Sequence, residues 1–593
     1  MAKLKFRNPN IRKIFADVKP NLIREQFPFD RPPRILFDSN PPSIVEGHQM
    51  WITDTTFRDG QQSRPPYTPE QIRDLYVLMS RLDNGTGTIR QSEFFLYSPI
   101  DRKALQLCRQ ENLNYPEITG WIRAVPADFA LVKEMGLKET GILTSISDYH
   151  IYLKMGLTRK TFIDKYMAVV DKSIESGILP RCHLEDVTRA DFYRSVIPFV
   201  QRLMKTSEDA KVQIKIRLCD TMGFGVSYPE AALPRSIPKI IGILRKECGV
   251  SPDQLEWHGH NDFHKVAANA EAAWLYGCSA VNGTLAGVGE RTGNPPLEGM
   301  IMLLTGLADI PIKQTEGNGI DMLVISELAK YLKSTGMEIP KNYPLIGDGC
   351  NTTCAGIHAD GAIKNEEIYQ TCDMGSLVGK PLRVAVTNVS GIAGIVRWTH
   401  ENIDLKVDGY KIGKDHPGVA EIGRKVSAEY DEGRTLSMSD EEMHKLVLQY
   451  IPEASIYSLA AIQQSAANYV STDFEKPINK GALKKTQHVK SLADNPLVAA
   501  AYITDKDGRI ITFAVGEESR YMYNGIKKGS YLVHPWHHEV TTNGNTFISE
   551  LFKSRMTNAL CMTIAAPISD STGSMMGIYN IDLNLKQVSN KAD

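Results

Sequence analysis

The chain has 593 residues, of which 42% are hydrophobic and 23% charged, and its formal net charge at pH 7 is −1. This composition is typical of a soluble globular protein with two to four domains. The near-zero net charge excludes a global field that would favour nucleic acids or membranes, so any recognition by charge must be local. The sequence also contains no run of about 18 apolar residues that could span a bilayer.

The N-terminal segment, residues 1–45, is rich in proline. Because proline lacks a backbone N–H and has a fixed φ, we expect this segment to be an arm that lies on another surface. Its first residues, MAKLKFRNPNIRK, are charged and include no apolar core of a secretory signal. The nine cysteines are scattered and form no CxxC pair, which predicts reduced thiols and a cytoplasmic location.

Residues 46–315 alternate short β-branched or apolar runs with stretches of helical period. The predicted strands are MWITDTT, IRQSEFF, EITGWIR, ETGILTS, LPRCHLE, QIKIRLCD, LEWHGH and AVNGTL. Helical segments such as PEQIRDLYVLMSRL and TFIDKYMAVVDKSIESG lie between them. Because repeated strand–helix units give parallel strands, the eight repeats predict an α/β fold with a closed (β/α)8 barrel, the TIM barrel.

The remainder of the chain divides into two regions. Residues 316–485 read mostly as helices and short loops, and we expect a helical subdomain there. From residue 486 to 593 the pattern changes to strands with turn signals. One such stretch, AAAYITDKDGRIITFAV, contains Asp507-Gly508 as a hairpin turn, and a second is CMTIAAPISDSTGSMMGIYNIDL. This pattern predicts a separate α+β domain.

Polar clusters follow four of the predicted strands, at the end of the barrel where TIM-barrel enzymes carry their active residues. In DTTFRDGQQ, Arg58 and Asp59 follow strand 1, and Asp59 could supply a carboxylate oxygen to a hard cation. In WHGHND, His258 and His260 are two residues apart on a strand, so both rings point into the barrel mouth, which suits metal capture by neutral imidazoles. Taken alone, the first motif is also compatible with a turn that carries a surface ion pair.

The other two clusters follow strands 5 and 8. RCHLEDVTR places Arg181, His183 and Glu185 on one face of strand 5, and Glu185 at the tip could act in proton transfer. An ion pair across the barrel would explain the same residues. GVGERTGNPPLE forms a sharp loop after strand 8, in which Asn294 is a candidate carbonyl ligand or a group that supports the ligands.

In their order along the chain, these motifs resemble the acyltransferase branch of the superfamily that contains the isopropylmalate, homocitrate, citramalate and Re-citrate synthases. The resemblance runs from about residue 50 to about residue 400. The matching motifs are RDGxQ (Arg58 to Gln62), the strand-5 pair Glu185-Asp186, DTxG (Asp220 to Gly223), HxHND (His258 to Asp262), GxGERxGN (Gly287 to Asn294) and GIHADGxxKN (Gly356 to Asn365).

The resemblance implies a metal-dependent condensation of acetyl-CoA with a 2-oxo acid, followed by hydrolysis of the thioester. Asp59, His258 and His260 match the divalent-metal ligands of the family, and Asn294 matches a further contact. Two imidazoles with oxygen ligands suit Mn²⁺, Mg²⁺, Zn²⁺ or Co²⁺. Arg58 matches the residue that stabilises the developing oxyanion.

The resemblance also implies further catalytic and substrate-binding residues. Glu185 matches the carboxylate implicated in deprotonating the acyl-CoA. His358 matches a histidine that reaches the active site from the neighbouring subunit, which implies at least a homodimer, and Tyr369 lies shortly beyond it. The candidate substrate contacts are Gln62, Arg123, Arg181 and Thr221.

Arg181 bears on the choice of 2-oxo acid. It stands four residues before Glu185, where homocitrate synthases carry an Arg that grips the far carboxylate of 2-oxoglutarate. An inward guanidinium can pair bidentately with a carboxylate and is poorly matched to an isopropyl group. We therefore expect a dicarboxylic 2-oxo acid, unless Arg181 pairs only with Asp186 or Glu93.

Between the two dicarboxylic acids, the resemblance favours oxaloacetate. EWHGHNDFHKV and GERTGNPPLEGM are more similar to the Re-citrate synthases than to the homocitrate synthases, which implies citrate as the product. His264 and Trp121 depart from the commoner family pattern, so a homocitrate or isopropylmalate synthase stays an alternative.

The strands of residues 486–593 do not resemble the leucine-sensing domain that ends many isopropylmalate synthases. They are similar to Cache or PAS-like sensors of small ligands, with Tyr521, Tyr523, Trp536 and His537 as candidate lining residues. We expect a regulatory or dimerisation domain that binds a small-molecule effector.

Three other functions are conceivable for a chain with this barrel and this C-terminal domain. A hydroxymethylglutaryl-type lyase would carry a reactive cysteine in its glycine-rich loop, and GVGERTGN has none. A biotin-dependent carboxyltransferase usually carries a biotinyl Met-Lys-Met segment, and the sequence has no AMKM. A non-catalytic metabolite sensor, suggested by the C-terminal domain, stays as the alternative from a different class.

Overall fold

Eight parallel strands form a closed barrel in chain order, with β8 paired to β1. The strands are β1 (Trp51–Asp54), β2 (Ile89–Phe94), β3 (Glu117–Arg123), β4 (Glu139–Ser145), β5 (Leu179–Glu185), β6 (Lys215–Asp220), β7 (Leu255–Gly259) and β8 (Ala280–Gly283). The predicted (β/α)8 barrel is therefore confirmed in this computed structural model, and β3, β4 and β5 match the predicted runs residue for residue.

A helix follows each strand on the outside of the barrel. The helices are α1 (Pro69–Asp83), α2 (Pro99–Gln110), α3 (Phe129–Glu134), α4 (Arg159–Glu175), α5 (Ile197–Ala210), α6 (Ile237–Cys248), α7 (Val266–Tyr276) and α8 (Leu297–Leu307). Their starts follow from local sequence: Thr68 and Ser98 form capping boxes before α1 and α2, and each of these helices has proline at its first position.

The structure describes residues 20–38, 48–308, 310–313, 317–403, 412–451 and, in short stretches, much of 489–584. Among these residues, none of the helices is long and apolar enough to cross a membrane. In the described part of the proline-rich arm, Ile35 N donates to Gly306 O (2.9 Å), and Phe29 O accepts from Asp373 N (2.7 Å). This part of the arm thus lies on the end of α8 and on the helical region that follows.

The barrel core continues past residue 315. Helix α9 (Val324–Ser334) packs on α1, where Arg81 and Glu327 form an ion pair at 2.9 Å, and its apolar residues join the barrel core. A second core, built from residues 386–451, belongs to the helices farther along the chain. These elements are β9 (Thr352–Thr353), α10 (Gly356–Lys364), α11 (Met374–Val378), β10 (Arg383–Val384), α12 (Gly391–Asn402), α13 (Pro417–Asp431) and α14 (Asp440–Tyr450).

The C-terminal region forms an antiparallel sheet in the order β12-β11-β16-β15-β13, with β14 paired to β15. Its elements are β11 (Val498–Thr504), β12 (Ile510–Val515), α15 (Pro535–Asn543), β13 (Phe547–Ile548), β14 (Phe552–Lys553), β15 (Leu560–Ser569) and β16 (Met575–Asn584). The predicted hairpin turn joins β11 to β12, and Gly508 supplies the positive φ (88°) that the turn requires. The predicted α+β domain is therefore confirmed.

The C-terminal sheet domain contacts the outside of the barrel. Helix α15 packs on α9, and Arg509 lies 3.6 Å from Glu111 at the end of α2. Of the candidate lining residues, Trp536 is buried and donates to Asn580 Oδ1 (3.2 Å), and His537 Nε2 lies 3.3 Å from Asp505 O. Tyr521 and Tyr523 lie outside the described residues.

Candidate active site

Asp59, His258 and His260 come together at the mouth of the barrel, as the sequence predicts for a metal site. Asp59 follows β1, and the two histidines lie at the end of β7 and directly after it. All three side chains are buried, and their potential ligand atoms lie within 4.8 Å of one another. The two Nε2 atoms are 3.3 Å apart.

The oxygen atoms around this cluster also fit a cation. Asp59 Oδ2 and Asn294 Oδ1 are buried and have no hydrogen-bond partner among the described residues. A Cβ atom on Gly289 would overlap Asn294 Oδ1 and stand 2.9 Å from Asp59 Oδ2, so both oxygens face the same small space. Asn294 donates its amide to Gly259 O (3.2 Å), which turns the carbonyl oxygen toward that space. Two imidazoles and two oxygens form a donor set suited to a divalent metal.

Asn282, in β8, orients His258. Its Nδ2 donates to Thr53 Oγ1 (2.9 Å), so its Oδ1 is the acceptor 2.7 Å from His258 Nδ1. This hydrogen bond leaves the lone pair of a neutral imidazole on Nε2, the nitrogen that faces the cluster. Burial, with neighbouring His260, lowers the pKa of His258 to about 3. Sequence reasoning missed Asn282, although its place on strand 8 within AVNGTL could have indicated it.

Arg58 lies directly beside the cluster. Its Nε lies 2.9 Å from Glu93 Oε2 and its Nη1 3.1 Å from Asp59 Oδ1, and the guanidinium stands 5.5 Å from the centre of the Trp121 ring. Burial favours the protonated form of Asp59, but Arg58 and His258 lower the pKa of this carboxyl below its usual value. Arg58 is thus a fixed cation next to the atoms that would bind a metal.

Below the mouth, the barrel interior is filled by ion pairs. The carboxylates are Glu93, Glu139 and Glu256, and the cations are Arg181, Arg217 and Lys215. Burial opposes the ionised form of Glu93, but its arginine partners, Arg217 first, hold its pKa well below the usual range. This network forms the floor of the candidate site.

Arg181 belongs to this floor. Its guanidinium lies 3.2 Å from both Glu93 and Glu139 and 3.6 Å from Glu256, and the residue is 1% exposed. It stands four positions before Glu185 at the strand tip, which is about 13 Å along an extended strand. Its pairing with Glu93 is the alternative that the sequence left open, and its contact with a substrate carboxylate stays a prediction.

Glu185 lies at the tip of β5 and is held by three donors. They are the Ser145 hydroxyl, His150 Nδ1 at 3.0 Å and Lys154 Nζ at 3.4 Å. Burial would raise the pKa of Glu185, but the contacts with His150, Ser145 and Lys154 lower it to about 2. His150 and Lys154 were missed by sequence reasoning, although they lie in the loop that follows the predicted strand ETGILTS.

Strand register relates Glu185 to the metal cluster. Glu185 pairs with Cys219 on β6, and Cys219 pairs with His258 on β7. Because neighbouring strands lie about 4.8 Å apart, the Glu185 and His258 backbones are roughly 10 Å apart at the same level of the barrel. The mouth therefore places a carboxylate on one side of a small space and the candidate metal-binding residues with Arg58 on the other.

The predicted substrate contacts lie around this mouth in different environments. Gln62 is exposed at the end of a 3-10 turn, Gly60–Gln62. Arg123 ends β3, is 60% exposed and pairs with Asp128 at 3.0 Å. The Thr221 hydroxyl accepts the Asp186 backbone N–H (2.8 Å), which fixes the loop after β5.

His358 and Tyr369 lie together in the helical region rather than on the barrel. Their rings are 4.1 Å apart and tilted by 33°, and both residues are exposed. Their neighbours in sequence, Ile357 and Ile368, are also exposed, at 77% and 54%. The loops of the barrel mouth also carry exposed apolar residues, namely Tyr149, Tyr152, Leu153, Tyr193, Tyr228 and Phe263.

Fold and site together define a (β/α)8-barrel protein with a two-histidine candidate metal centre at the carboxyl ends of its strands. The HMGL-like family model matches residues 49–329. A model described as the methyl-accepting chemotaxis protein-like, first PDC sensor domain matches residues 483–590. The second match confirms the predicted resemblance of the C-terminal domain to small-ligand sensors.

Three curated relatives are similar over most of the chain. The chain is 44% identical to a citrate (Re)-synthase of Syntrophus aciditrophicus, over 96% of this chain and 91% of that protein. It is 46% identical to a citrate (Re)-synthase of Clostridium kluyveri, over 73% of this chain and 94% of that protein. It is 36% identical to a 2-phosphinomethylmalate synthase of Streptomyces hygroscopicus, over 72% of this chain and 96% of that protein. The chain therefore belongs to the citrate (Re)-synthase family of condensing acyltransferases, as its motifs predict.

Proposed function

We propose that this chain condenses acetyl-CoA with oxaloacetate and hydrolyses the thioester, which yields citrate and CoA. The observation that carries this proposal is the 44% identity to a citrate (Re)-synthase over 96% of the chain. The buried metal-ligand set beside Arg58 supports the same reaction class, because a condensation of this kind needs a polarised carbonyl and a group that holds the resulting alkoxide.

We propose that Asp59, His258, His260 and Asn294 hold a divalent cation, with Mn²⁺, Mg²⁺, Zn²⁺ and Co²⁺ as candidates. A cation at this position would polarise the carbonyl of the 2-oxo acid as a Lewis acid. The buried, unpartnered oxygens of Asp59 and Asn294 within the described chain support this assignment. Asn282 would fix the ring of one ligand, as outer partners of metal-bound histidines do.

The chain's own residues would carry the proton transfer and the charge. Glu185, assisted by His358, would take a proton from the methyl group of acetyl-CoA, and the C–H electron pair would become the enolate. The enolate carbon would then bond to the carbonyl carbon of oxaloacetate, whose π electrons move to the oxygen. Arg58, fixed by Glu93 at 2.9 Å, would stabilise that oxyanion.

We propose that the active site is completed by a second copy of the chain. His358 and Tyr369 stand in an exposed apolar patch with Ile357 and Ile368, and the barrel mouth has its own exposed apolar residues. Such surfaces are typical of interfaces. In a two-fold dimer, the patch of each copy would cover the mouth of the other.

We propose that the C-terminal domain binds a small-molecule effector. The domain packs on α9 through its helix α15. At the end of α9, Thr335 O accepts a hydrogen bond (3.3 Å) from Arg64, which lies in the loop after the proposed metal ligand Asp59. Helix α9 therefore connects the C-terminal domain to the candidate active site. We further infer a reducing, cytoplasmic location, because all nine cysteines lie in described residues and are unpaired.

The test is the release of free CoA from acetyl-CoA in the presence of Mn²⁺, with oxaloacetate, 2-oxoglutarate, 2-oxoisovalerate and pyruvate offered in parallel. We expect turnover with oxaloacetate and formation of citrate, and none for Asp59→Asn, which weakens the metal site. A preference for 2-oxoglutarate would make the enzyme a homocitrate synthase. No release of CoA with any of the four acids would contradict the proposal and favour the lyase or sensor alternatives.

A further inference from the structure

One oxygen of Glu185 receives all three of its side-chain donors. Ser145, which faces Glu185 in the register of β4 and β5, donates its hydroxyl to Oε2. His150 Nδ1 lies 3.0 Å from the same oxygen, and Lys154 Nζ lies 3.4 Å from it. Because these three contacts all involve Oε2, Oε1 is available to accept a proton.

A π-helical turn, Tyr149–Lys154, presents two of these donors. The turn is anchored at its start, because Ser147 O accepts the backbone N–H of both His150 (3.0 Å) and Ile151 (2.8 Å). Asp148, just before the turn, pairs with Arg159 Nε at 3.0 Å. His150 and Lys154 thus project from one fixed turn toward the tip of β5.

Of these two donors, His150 is the better shielded. Its side chain is 15% exposed, against 54% for Lys154. Its second nitrogen, Nε2, lies 3.9 Å from Asp186 Oδ2, and Asp186 is buried and paired with Arg189 at 2.9 Å. The ring therefore lies between two carboxylates and is hydrogen-bonded to Glu185.

We propose that His150 is a positioning residue that fixes Oε2 of Glu185, so that Oε1 faces the methyl group of acetyl-CoA. The inference rests on the proposed condensation. In that step Oε1 accepts the proton as the C–H bond breaks, and the electron pair stays on the carbon as the enolate. A carboxylate that is held in one orientation meets the methyl group more often in a reactive geometry than one that turns freely.

In a competing assignment, the imidazole of His150 is itself the base. One variant, His150→Asn, distinguishes this role from the positioning role. The side-chain amide of asparagine can stand where His150 Nδ1 stands, so His150→Asn keeps a donor to Oε2 but has no Nε2. We expect His150→Ala to lower kcat about 10- to 100-fold, as loss of an orienting partner does elsewhere, with little change in KM. His150→Asn should recover most of this loss.

Two further variants grade the effect. Lys154→Ala should lower kcat less than His150→Ala, because the Lys154 contact is longer and more exposed. Lys160→Ala, on α4 with an 87% exposed side chain, should match the wild type. If His150→Asn is as impaired as His150→Ala while both bind Mn²⁺ and unfold at the wild-type temperature, the positioning role is wrong.

The pH dependence of kcat/KM distinguishes a positioning role from a loss of stability, because a loss of stability would not shift its acid limb. The titratable and charged groups around Glu185 are His150, Lys154, Asp186, Arg189, Cys219 and Tyr166. Loss of His150 removes a donor that lowers the pKa of Glu185, so the acid limb of kcat/KM should move to higher pH in His150→Ala. If the acid limb of kcat/KM in His150→Ala stays at its wild-type pH, the inference is wrong. Citrate formation by the wild type is measured first, and its absence would overturn the proposed function and this inference together.

Discussion

Glu93 and Arg58 form a buried ion pair at the floor of the candidate site, with Arg58 Nε 2.9 Å from Glu93 Oε2. The same carboxylate also pairs with Arg217 at 2.9 Å and with Arg181 at 3.2 Å. The position of the cation beside the metal cluster therefore depends on a network that reaches deep into the barrel.

Glu93→Gln should damage stability and activity together. The change leaves three buried guanidinium groups with one carboxylate fewer, and removal of one member of a buried pair costs about 3–5 kcal/mol. Chemical unfolding measures the loss, and kcat should fall because Arg58 loses its fixed position. Glu134→Gln is the control, since Glu134 is 63% exposed and lies 3.9 Å from its partner Arg102. Equal stability of the two variants would refute the prediction.

Asn282→Leu should weaken metal binding without removing a ligand. Without the acceptor at 2.7 Å, the His258 ring loses the hydrogen bond that fixes its orientation and tautomer. We expect affinity for Mn²⁺ to fall about 10- to 100-fold in a direct titration. Asn543→Ala, an exposed change in α15, should leave the affinity at the wild-type value. Wild-type affinity in Asn282→Leu would show that Asn282 does not orient the ligand.

Arg181→Gln separates the two roles of this arginine. If Arg181 serves the barrel floor, the variant should lose about 3–5 kcal/mol of stability, while the KM for oxaloacetate in the folded enzyme stays near the wild-type value. A large rise in KM with unchanged unfolding would restore the predicted grip on the substrate carboxylate. Arg123→Gln is a surface control for stability, because the Arg123 side chain is 60% exposed.

Two inactive variants should complement each other if His358 enters the site of a second copy. His258→Ala lacks a proposed metal ligand and His358→Ala lacks the proposed partner residue, so each mixed dimer contains one intact site. Unfolding and refolding the two variants together should restore roughly a quarter of the wild-type activity. A mixture of His258→Ala with Asp59→Asn should restore no activity, because each barrel then carries a defect in its own candidate metal site. Failure of the first mixture would argue against a shared site.

Asp582→Asn should remove the pH dependence of the stability of the C-terminal sheet. Burial raises the pKa of Asp582 to about 6, although Ser554, Thr563 and Tyr502 donate to it. Its stabilising contribution is therefore complete below about pH 4 and is lost as the pH rises through about 6. In the wild type, hydrogen exchange in β15 and β16, corrected for intrinsic rates, should quicken over this range. Asp582→Asn should show no such change, and Asp507→Asn, in the exposed hairpin turn, should behave as the wild type.

The sequence was most informative where pattern and position coincide. Strand periodicity located β3, β4 and β5 to the residue, and ordered motifs brought Asp59, His258 and His260 together before the structure did. It was less informative about partners inside the barrel: the inward direction of Arg181 followed from strand parity, but parity does not say that carboxylates on other strands already face it. His150 was missed because a π-helical turn has no simple sequence period, and Asn282 because a polar residue in a strand has several explanations.

The ion pairs inside the barrel also bear on how this enzyme could be altered. Each cation there is matched by carboxylates from other strands, so a single exchange at this level disturbs several neighbours at once. The ion pairs in the loops at the mouth, such as Arg123–Asp128 and Arg291–Asp262, are partly exposed and involve fewer partners, and Tyr149, Tyr193 and Tyr228 on these loops are exposed. New substrates are therefore best sought through libraries in the rim loops, whereas libraries in the strand interiors would mostly return chains that fail to fold.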